Sequence, residues 1–220
     1  MKVIVPIRSK SWAELAPKLD QIDHRVDIIE LWIDQLFMDL MRNPQLIPIV
    51  TTTLQKLKSE YNLEVLAVCK SPQEKGSFGG TAGQRIELLK AFLQLGGDIV
   101  DVDVQINPKE LIRSLPKDQL WLSLHDFTRV PENLESLARD MKFLQPAVYK
   151  FAVTPNSEAE LSTFIKFAEK FSTNFPAIFT TMGPLGATGR QQLEKYTHGA
   201  FYALNKTETT ASGQPTLASL

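Results

Sequence analysis

The stretch Ala147-Val148-Tyr149-Lys150-Phe151-Ala152-Val153 is an apolar run with a single lysine at its centre. As a β-strand it places its bulky side chains on one face and its small side chains, together with Lys150, on the other. The bulky face suits packing against helices, and the face with Lys150 suits the interior of a parallel barrel. A desolvated lysine can lose its proton near neutral pH and attack a carbonyl, whereas a lysine near a strand end can extend to water. This run by itself leaves both roles open.

Comparable apolar runs recur along the chain and alternate with amphipathic stretches. The strand-like runs lie near residues 2–7, 26–34, 63–70, 97–104, 119–125, 147–153, 176–182 and 199–204. The helical patterns lie near residues 11–23, 42–60, 81–96, 107–115, 131–144, 156–172 and 184–196. This alternation predicts a parallel sheet, and eight strands predict a (β/α)8 TIM barrel in the α/β class. A doubly wound open sheet is the competing fold, but Pro6-Ile7-Arg8-Ser9 replaces the glycine-rich turn that it needs after its first strand.

Length and composition narrow the class of protein further. The 220 residues fit one barrel or two small domains, and we predict a single barrel domain over residues 1–220 with a short or missing eighth helix. A net charge of −1 gives no reason to expect a nucleic-acid partner. The single cysteine, Cys69, excludes an internal disulfide and favours a cytoplasmic location. No apolar run approaches the roughly 18 residues that cross a bilayer, so no membrane association is expected.

Polar side chains cluster at the ends of the predicted strands, where (β/α)8 proteins place their function. They are Glu30 and Asp34 on strand two, Lys70 and Glu74 after strand three, Asp101 and Asp103 on strand four, His125 on strand five, Lys150 on strand six and Arg190 after strand seven. Each also has a structural interpretation: we expect Asp101 and Asp103 to pair with lysines in the barrel floor, and His125 can be an acid–base group or a hydrogen-bonded structural histidine. The scattered histidines predict no metal site. A lysine, a histidine and a carboxylate at neighbouring strand ends favour an enzyme.

These motifs, in this order, resemble the type I 3-dehydroquinate dehydratases of the shikimate pathway over nearly the whole chain. The most specific match is Ser123-Leu124-His125-Asp126-Phe127, which is close to the family's Ser-x-His-Asp-Phe. The other matching segments are Glu30–Asp34 (Glu-x-Arg-x-Asp), Lys70–Gly76 (Arg-x-x-x-Glu-Gly-Gly), Gly97–Asp103, Lys150 with Thr154-Pro155, Met182–Arg190 (Met-Gly-x-x-Gly-x-x-Ser-Arg) and Thr210–Gln214 (Ser-Ala-Pro-Gly-Gln).

The resemblance implies a role for each matching residue. Lys150 is expected to form an imine with the ketone of 3-dehydroquinate, His125 to move protons, and Glu74 to orient that histidine. The implied substrate-binding residues are Glu30, Lys70, Arg190, Thr210 and Gln214. The resemblance implies no cofactor, and it favours a homodimer, as does the apolar flank that a missing eighth helix leaves bare.

Three positions depart from the family motifs. Trp32 and Lys70 replace arginines, and Lys75 replaces a glycine. We expect Trp32 to share a face with Glu30 and Asp34 and to weaken the binding of dehydroquinate, because a cation is lost. Two alternatives stay open: a related Schiff-base enzyme, aldolase-like, that acts on another hydroxy-ketone, and a non-catalytic relative that binds a metabolite.

Overall fold

Strands and helices alternate along the chain in the computed structural model, which describes residues 1–211 and 213–220 apart from the side chains of Met38 and Met41. The strands are β1 (Lys2–Arg8), β2 (Ile28–Trp32), β3 (Glu64–Val68), β4 (Ile99–Asp103), β5 (Leu120–Asp126), β6 (Val148–Val153), β7 (Ala177–Thr181) and β8 (Gly199–Phe201). The α-helices of the described residues are α1 (Trp12–Leu19), α2 (Ile33–Arg42), α3 (Ile47–Tyr61), α4 (Ala82–Gln94), α5 (Lys109–Ile112), α6 (Leu134–Lys142), α7 (Glu158–Ser172) and α8 (Gly186–Leu193).

The eight strands belong to one sheet with the order β7-β6-β5-β4-β3-β2-β1-β8. The pairs β1–β2, β2–β3, β3–β4, β5–β6 and β6–β7 are parallel. Parallel neighbours connected through helices define the (β/α)8 class, so the predicted fold class is confirmed. None of the helices in the described ranges is long and apolar enough to cross a membrane.

The chain divides into two compact units, Val3–Asp101 and Val102–Leu220, and the second unit also includes Met1 and Lys2. We call them the N-terminal unit and the C-terminal unit. That residues 1–220 form a single domain stays a prediction.

Aromatic and aliphatic side chains fill the core of the N-terminal unit. All five residues of β2 are buried. Phe37 lies between two other rings, with centroid distances of 6.3 Å to Trp12 and 6.1 Å to Phe92. Ser11 caps α1 by accepting a hydrogen bond from the backbone N–H of Glu14. This packing fixes the strands whose carboxyl ends carry the polar motifs.

Phenylalanine rings dominate the core of the C-terminal unit. Phe151 on β6 stacks on Phe179 of β7 at a centroid distance of 5.6 Å. The same ring makes edge contacts at 5.1 Å with both Phe167 and Phe171 of α7. Burying one such ring contributes on the order of 1.5–3 kcal/mol. The bulky face of β6 therefore anchors α7, as its sequence pattern predicts.

Three predicted elements have the wrong boundaries. A strand over 26–34 and a helix over 42–60 are expected, but β2 ends at Trp32 and α2 begins at the next residue. The helix buries Ile33, Leu36, Phe37 and Leu40, which recur at the spacing of one helical face. The helix predicted over 107–115 is reduced to the four residues of α5.

The segment after β8 contains no α-helix within its described residues, 202–211 and 213–220. A short 3-10 turn, Leu217–Ser219, stands there instead. The backbone N–H of Ala203 donates to Pro215 (2.7 Å), and the N–H of Leu217 donates to Ala203 (2.9 Å). The predicted shortening of the eighth helix is confirmed.

Candidate active site

Lys150 lies on the face of β6 that does not contact α7. Its neighbours in sequence, Tyr149 and Phe151, contact Phe171 of that helix at centroid distances of 5.3 and 5.1 Å, so the alternation of the strand directs Lys150 to the opposite face. The residue is only 5% exposed, and its Nζ lies 4.4 Å from the centre of the Phe201 ring. The alternative in which this lysine extends to water is therefore wrong.

His125 shares the face of Lys150. The register pairs Ser123 with Lys150 and His125 with Ala152, and paired residues of parallel strands point to the same side of a sheet. His125 thus lies one strand away from Lys150 and two residues further toward the carboxyl end, about 6.6 Å along the strand direction. The structure brings the two predicted catalytic side chains of the C-terminal unit together.

A carboxylate fixes the orientation of His125. Nδ1 of the imidazole lies 2.7 Å from Oδ2 of Asp103, and the backbone N–H of His125 donates to the same oxygen at 3.0 Å. A carboxylate can only accept, so this bond requires the proton on Nδ1 and leaves Nε2 able to accept or deliver a proton. The ring of Phe127 stacks on the imidazole at 5.9 Å. The histidine is held in the tautomer that acid–base chemistry needs.

The expected role of Asp103 is wrong. A lysine partner is expected from the sequence, but the partners of Asp103 are the imidazole and backbone of His125 and the N–H of Gln105, which donates to Oδ1 at 2.8 Å. The signal was present in the sequence: Asp103 and His125 end neighbouring predicted strands on the same face. A histidine partner was overlooked because the resemblance assigned that role to Glu74.

Two buried hydroxyl groups flank Lys150. Ser123 is its partner in the register on β5, and Thr180 of β7 pairs with Ala152 two residues further along. Both residues are buried, and neither Oγ of Ser123 nor Oγ1 of Thr180 has a hydrogen-bond partner among the described residues. Buried polar atoms are normally satisfied, so these hydroxyls are suited to receive a ligand oxygen or a water molecule.

Arg190 lines a cavity of about 270 Å³ in the C-terminal unit. Thr180, Phe201 and Gly213 also line this cavity. Burial lowers the pKa of the guanidinium to about 10, so it still carries its charge at neutral pH. Its Nε is buried and has no partner among the described residues. A desolvated cation that retains an unused donor favours an anionic ligand such as a carboxylate, which agrees with the role predicted for Arg190.

Thr210 and Gln214 are linked to each other. Oε1 of the buried Gln214 accepts from the backbone N–H (2.7 Å) and hydroxyl (3.0 Å) of Thr210 and from the N–H of Ala211 (3.3 Å). Nε2 of Gln214 has no partner among the described residues, so one donor pair remains for a ligand. Gly213 has a φ of +75°, and a Cβ there would approach the backbone of Ala187 to 3.1 Å. Ser212, part of the same matching motif, lies outside the described residues.

Trp32 makes two specific contacts in the N-terminal unit. Its Nε1 donates to Oε1 of Glu30 at 3.1 Å, and the guanidinium carbon of Arg8 lies 3.7 Å above its ring. Both Glu30 and Trp32 are buried. The hydrogen bond places these two residues on the same face of β2, as their spacing predicts. Arg8 was not among the predicted site residues, although it ends β1 as the polar motif ends β2.

Glu74 is part of a buried ion-pair network. Its Oε1 lies 3.3 Å from Nζ of Lys70, and its Oε2 lies 3.5 Å from Arg85 of α4. The same carboxylate accepts from the backbone N–H and hydroxyl of Ser71, each at 2.9 Å. All three charged residues are buried. Lys70 and Glu74 are thus brought together, and Arg85 is a further cation that the sequence analysis did not single out.

The loop that follows the network depends on close backbone contacts. Lys75 adopts a φ of +66°, a conformation that glycine adopts far more readily. A Cβ on Gly76 would lie 2.1 Å from the carbonyl oxygen of Lys70. Ser77 then donates to Oδ2 of Asp34 from its N–H (2.8 Å) and its hydroxyl (2.6 Å). Asp34 therefore acts as an acceptor that holds this loop.

Within the described part of the chain, no group of three or more histidine, cysteine, aspartate or glutamate side chains could hold a metal ion.

A buried lysine and a carboxylate-bound histidine share one face of a parallel (β/α)8 sheet, an arrangement that is typical of enzymes with an amine nucleophile and an acid–base group. A family model described as type I 3-dehydroquinase matches residues 3–220. The chain belongs to this family. The predicted family and the prediction of an enzyme of this kind are confirmed.

Individual relatives agree with the family match. A 3-dehydroquinate dehydratase of Streptococcus thermophilus is 27% identical over 225 residues, covering 100% of this chain and 96% of that protein. One of Coxiella burnetii is 27% identical over 187 residues, covering 84% of this chain and 76% of its own length. A type I 3-dehydroquinate dehydratase of Clostridium difficile, solved with covalently modified comenic acid, has the same fold with a TM-score of 0.80 at 23% identity, covering 99% of this chain and 89% of the other.

Proposed function

We propose that this protein dehydrates 3-dehydroquinate to 3-dehydroshikimate in the shikimate pathway, through an imine on Lys150. The observation that carries the proposal is the placement of Lys150: it is buried at the sheet face that also holds His125 and its Asp103 partner. The family match and the names of the relatives support the same reaction. No cofactor is needed, because a protonated imine is itself an electron sink.

Each chemical step has a candidate group. The amine of Lys150 adds to the ketone carbon, and water leaves to give the iminium ion. Nε2 of His125 then takes a proton from the carbon next to the iminium, and the resulting enamine expels the hydroxyl group from the following carbon. The histidine delivers its proton to that oxygen, so water departs. Hydrolysis of the imine restores the lysine and releases 3-dehydroshikimate.

The remaining predicted residues are proposed to bind the substrate and to take no part in the bond changes. Arg190 binds the substrate carboxylate, since it is a half-buried cation at the wall of a cavity. Thr210 and Gln214 contact the ligand or the segment that covers it. Glu30 and Lys70 contact substrate hydroxyls, and Glu74 holds Lys70 in place through their 3.3 Å ion pair.

Imine trapping tests the proposal directly. Borohydride added with 3-dehydroquinate should label the peptide that contains Lys150, and Lys150→Met should abolish both labelling and turnover. Lys170→Met is the matched control, because Lys170 is an exposed lysine of the same unit, 3.1 Å from Glu135. Labelling of another lysine in the parent protein, with Lys150 unmodified, would overturn the assignment.

A second Schiff-base reaction remains the competing proposal. The substitutions at Trp32 and Lys70 alter groups that the resemblance assigns to substrate binding, and an aldolase-like enzyme would also give a positive imine trap. Product analysis separates the two: dehydratase activity yields a conjugated enone, whereas an aldolase yields two carbonyl fragments. Binding of dehydroquinate without either product would favour the non-catalytic relative.

We also propose that the protein acts as a cytoplasmic homodimer. The absence of an α-helix from the described residues after β8 and the 46% exposure of Leu220 support a covered flank. Light scattering at micromolar concentration should give twice the mass of the chain, and a monomeric mass would contradict the proposal.

A further inference from the structure

Thr180 lies in the same row of the sheet as His125. The register pairs His125 of β5 with Ala152 of β6, and Ala152 with Thr180 of β7. Paired residues of parallel strands point to the same side of a sheet, so Thr180 shares the face of His125 and Lys150. Its neighbour Phe179 contacts the rings of α7, which is consistent with Thr180 on the opposite face. In this row, only a methyl side chain separates the histidine from the threonine.

The hydroxyl group of Thr180 is buried without a hydrogen bond. The residue is 7% exposed, and its Oγ1 has no partner in the part of the chain that the structure describes. The next residue differs, because Thr181 donates its hydroxyl to the carbonyl of Gly186 at 2.8 Å. Leaving a buried hydroxyl unpaired is unfavourable, so the hydroxyl of Thr180 is suited to a ligand, whereas that of Thr181 serves the fold.

Thr180 and Arg190 line the same cavity of about 270 Å³, which lies within the C-terminal unit. Nε of Arg190 is a second buried polar atom without a partner among residues 1–211 and 213–220. The ring of Phe201 forms another part of the wall, and its centre is 4.4 Å from Nζ of Lys150. The cavity therefore combines two unpaired polar groups with the ring that contacts the lysine.

These groups favour an anion that offers several acceptor atoms. A guanidinium can only donate and a hydroxyl can donate, whereas the two oxygens of a carboxylate accept about four hydrogen bonds. The acidic residue on the wall, Glu194, is exposed to solvent, where water screens its charge. Oγ1 of Thr180 and Nε of Arg190 are buried, so they act on a ligand with little screening. A carboxylate beside these two atoms satisfies both.

We propose that Thr180 is a specificity-determining residue that donates its hydroxyl to the substrate carboxylate beside Arg190. The inference rests on the proposed dehydration of 3-dehydroquinate, in which the carboxylate and the hydroxyl group that leaves share one carbon. A carboxylate held on the Thr180 side turns the leaving hydroxyl toward His125, which lies two strands away. Thr180 thus selects a substrate with a carboxylate on the reacting carbon and orients that carbon.

Isosteric substitution of Thr180 tests the proposal by steady-state kinetics. Thr180→Val removes the hydroxyl and keeps the branched shape, and we expect KM for dehydroquinate to rise about 10- to 100-fold, as for loss of a hydrogen bond to a charged group. Thr180→Ser keeps the hydroxyl and should stay within about threefold of the parent. Thr163→Val is the matched control in the same unit, because the exposed hydroxyl of Thr163 donates to the carbonyl of Ala159 at 2.9 Å. A KM for Thr180→Val equal to that of Thr163→Val overturns the proposal.

A double-mutant cycle identifies the substrate group that Thr180 contacts. If Thr180 and Arg190 hold the same carboxylate, Arg190→Met displaces it, and adding Thr180→Val then lowers kcat/KM by less than about threefold. A hydroxyl that contacts a different group of the substrate would multiply the two effects, and this result overturns the assignment to the carboxylate. Thermal unfolding of each variant checks the fold, and Thr180→Ala is the second variant where Thr180→Val folds poorly.

The outcome for Thr180 can be distinguished from failure of the proposed function. Turnover and Lys150 labelling in the parent, with an unchanged KM in Thr180→Val, would reject the role of Thr180 alone. Where the parent does not turn over dehydroquinate, the proposed function fails, and calorimetric titration of the parent and of Thr180→Val with dehydroquinate decides the role of Thr180. A dissociation constant weaker by about tenfold or more in Thr180→Val supports that role, and equal constants or no detectable binding to the parent overturn it.

Discussion

Asp103 in the C-terminal unit and Glu74 in the N-terminal unit are both buried carboxylates near the end of a strand, but they have different partners. Asp103 accepts a 2.7 Å hydrogen bond from the imidazole of His125, together with two backbone N–H groups. Glu74 lies between the cations of Lys70 and Arg85, at 3.3 and 3.5 Å, and also accepts from Ser71. One carboxylate contacts a group that can exchange a proton at neutral pH, and the other contacts groups that mainly carry charge.

This difference in partners indicates that Asp103 and Glu74 have different roles. A carboxylate on Nδ1 sets the tautomer of a histidine and stabilises its protonated form, so Asp103 is placed to act on proton transfer. A carboxylate between two buried cations balances part of their charge. The two units therefore suit different tasks, proton chemistry in one and the balance of buried charge in the other.

Among changes at these carboxylates and their partners, loss of the imidazole of His125 should lower kcat the most. His125→Ala should lower kcat by a factor of about 10²–10⁴, because the acid–base group is lost, while dehydroquinate binding stays within a few-fold. Single-turnover experiments measure the rate, and direct binding experiments measure the affinity for dehydroquinate. His198→Ala is the control for loss of a histidine in the same unit, since the imidazole Nδ1 of His198 contacts backbone groups of Ala177. Nearly full activity in His125→Ala would make this histidine structural.

Asp103→Asn should have the next largest effect on rate. We expect kcat to fall by roughly 10- to 100-fold with little change in KM, since the amide has no charge to stabilise the imidazolium and permits the wrong tautomer. Borohydride labelling of Lys150 should persist at saturating substrate. Asp140→Asn is the matched control, because Asp140 forms an exposed pair with Lys109. A rate equal to that of this control would remove Asp103 from the acid–base pair.

Glu74→Gln should change the rate less than Asp103→Asn but lower the stability more. Neutralising Glu74 removes the negative charge that faces Lys70 and Arg85 in a buried ion-pair network, and losses of about 3–5 kcal/mol are typical when one partner of a buried pair is removed. Chemical denaturation gives the free energy of unfolding and steady-state kinetics give kcat, both measured on the same preparations. A drop in kcat as large as that of His125→Ala, with normal stability, would instead favour Glu74 as the partner of the histidine.

The buried thiol of Cys69 reports on the charges around Glu74 through its pKa. Burial, followed by the nearby charge of Asp34, raises the pKa of its thiol to about 12. A thiol whose pKa is raised in the folded state contributes stability that is present below the pKa of the unfolded chain and is lost as the pH rises toward 12. Between pH 9 and 11 the free energy of unfolding should fall about 1.4 kcal/mol per pH unit more steeply in the parent than in Cys69→Ala. If the free energy of unfolding fell equally steeply with pH in the parent and in Cys69→Ala, the pKa of the thiol would not be raised by folding.

The amino-acid sequence was sufficient for the fold class and for the faces of the strands. The alternation in β6 predicted that Lys150 and Phe151 lie on opposite faces of the strand, and the structure places the ring of Phe151 against α7. The boundary between β2 and α2 was missed because a strand pattern and a helix pattern meet at Ile33 without a turn residue between them. Periodicity identifies an element well, but it locates the end of that element poorly when no glycine or proline marks it.

Local sequence pattern predicted which residues of this protein carry the chemistry: a lysine in an apolar strand, a histidine at a strand end, and a set of matching motifs. Only the tertiary structure decided their partners, because hydrogen bonds and ion pairs depend on which strands are neighbours and on their register. Asp103 and His125 are 22 residues apart in the chain and 2.7 Å apart in space. Arg8 and Trp32 are likewise distant in sequence, and the parallel pairing of β1 with β2 stacks one on the other.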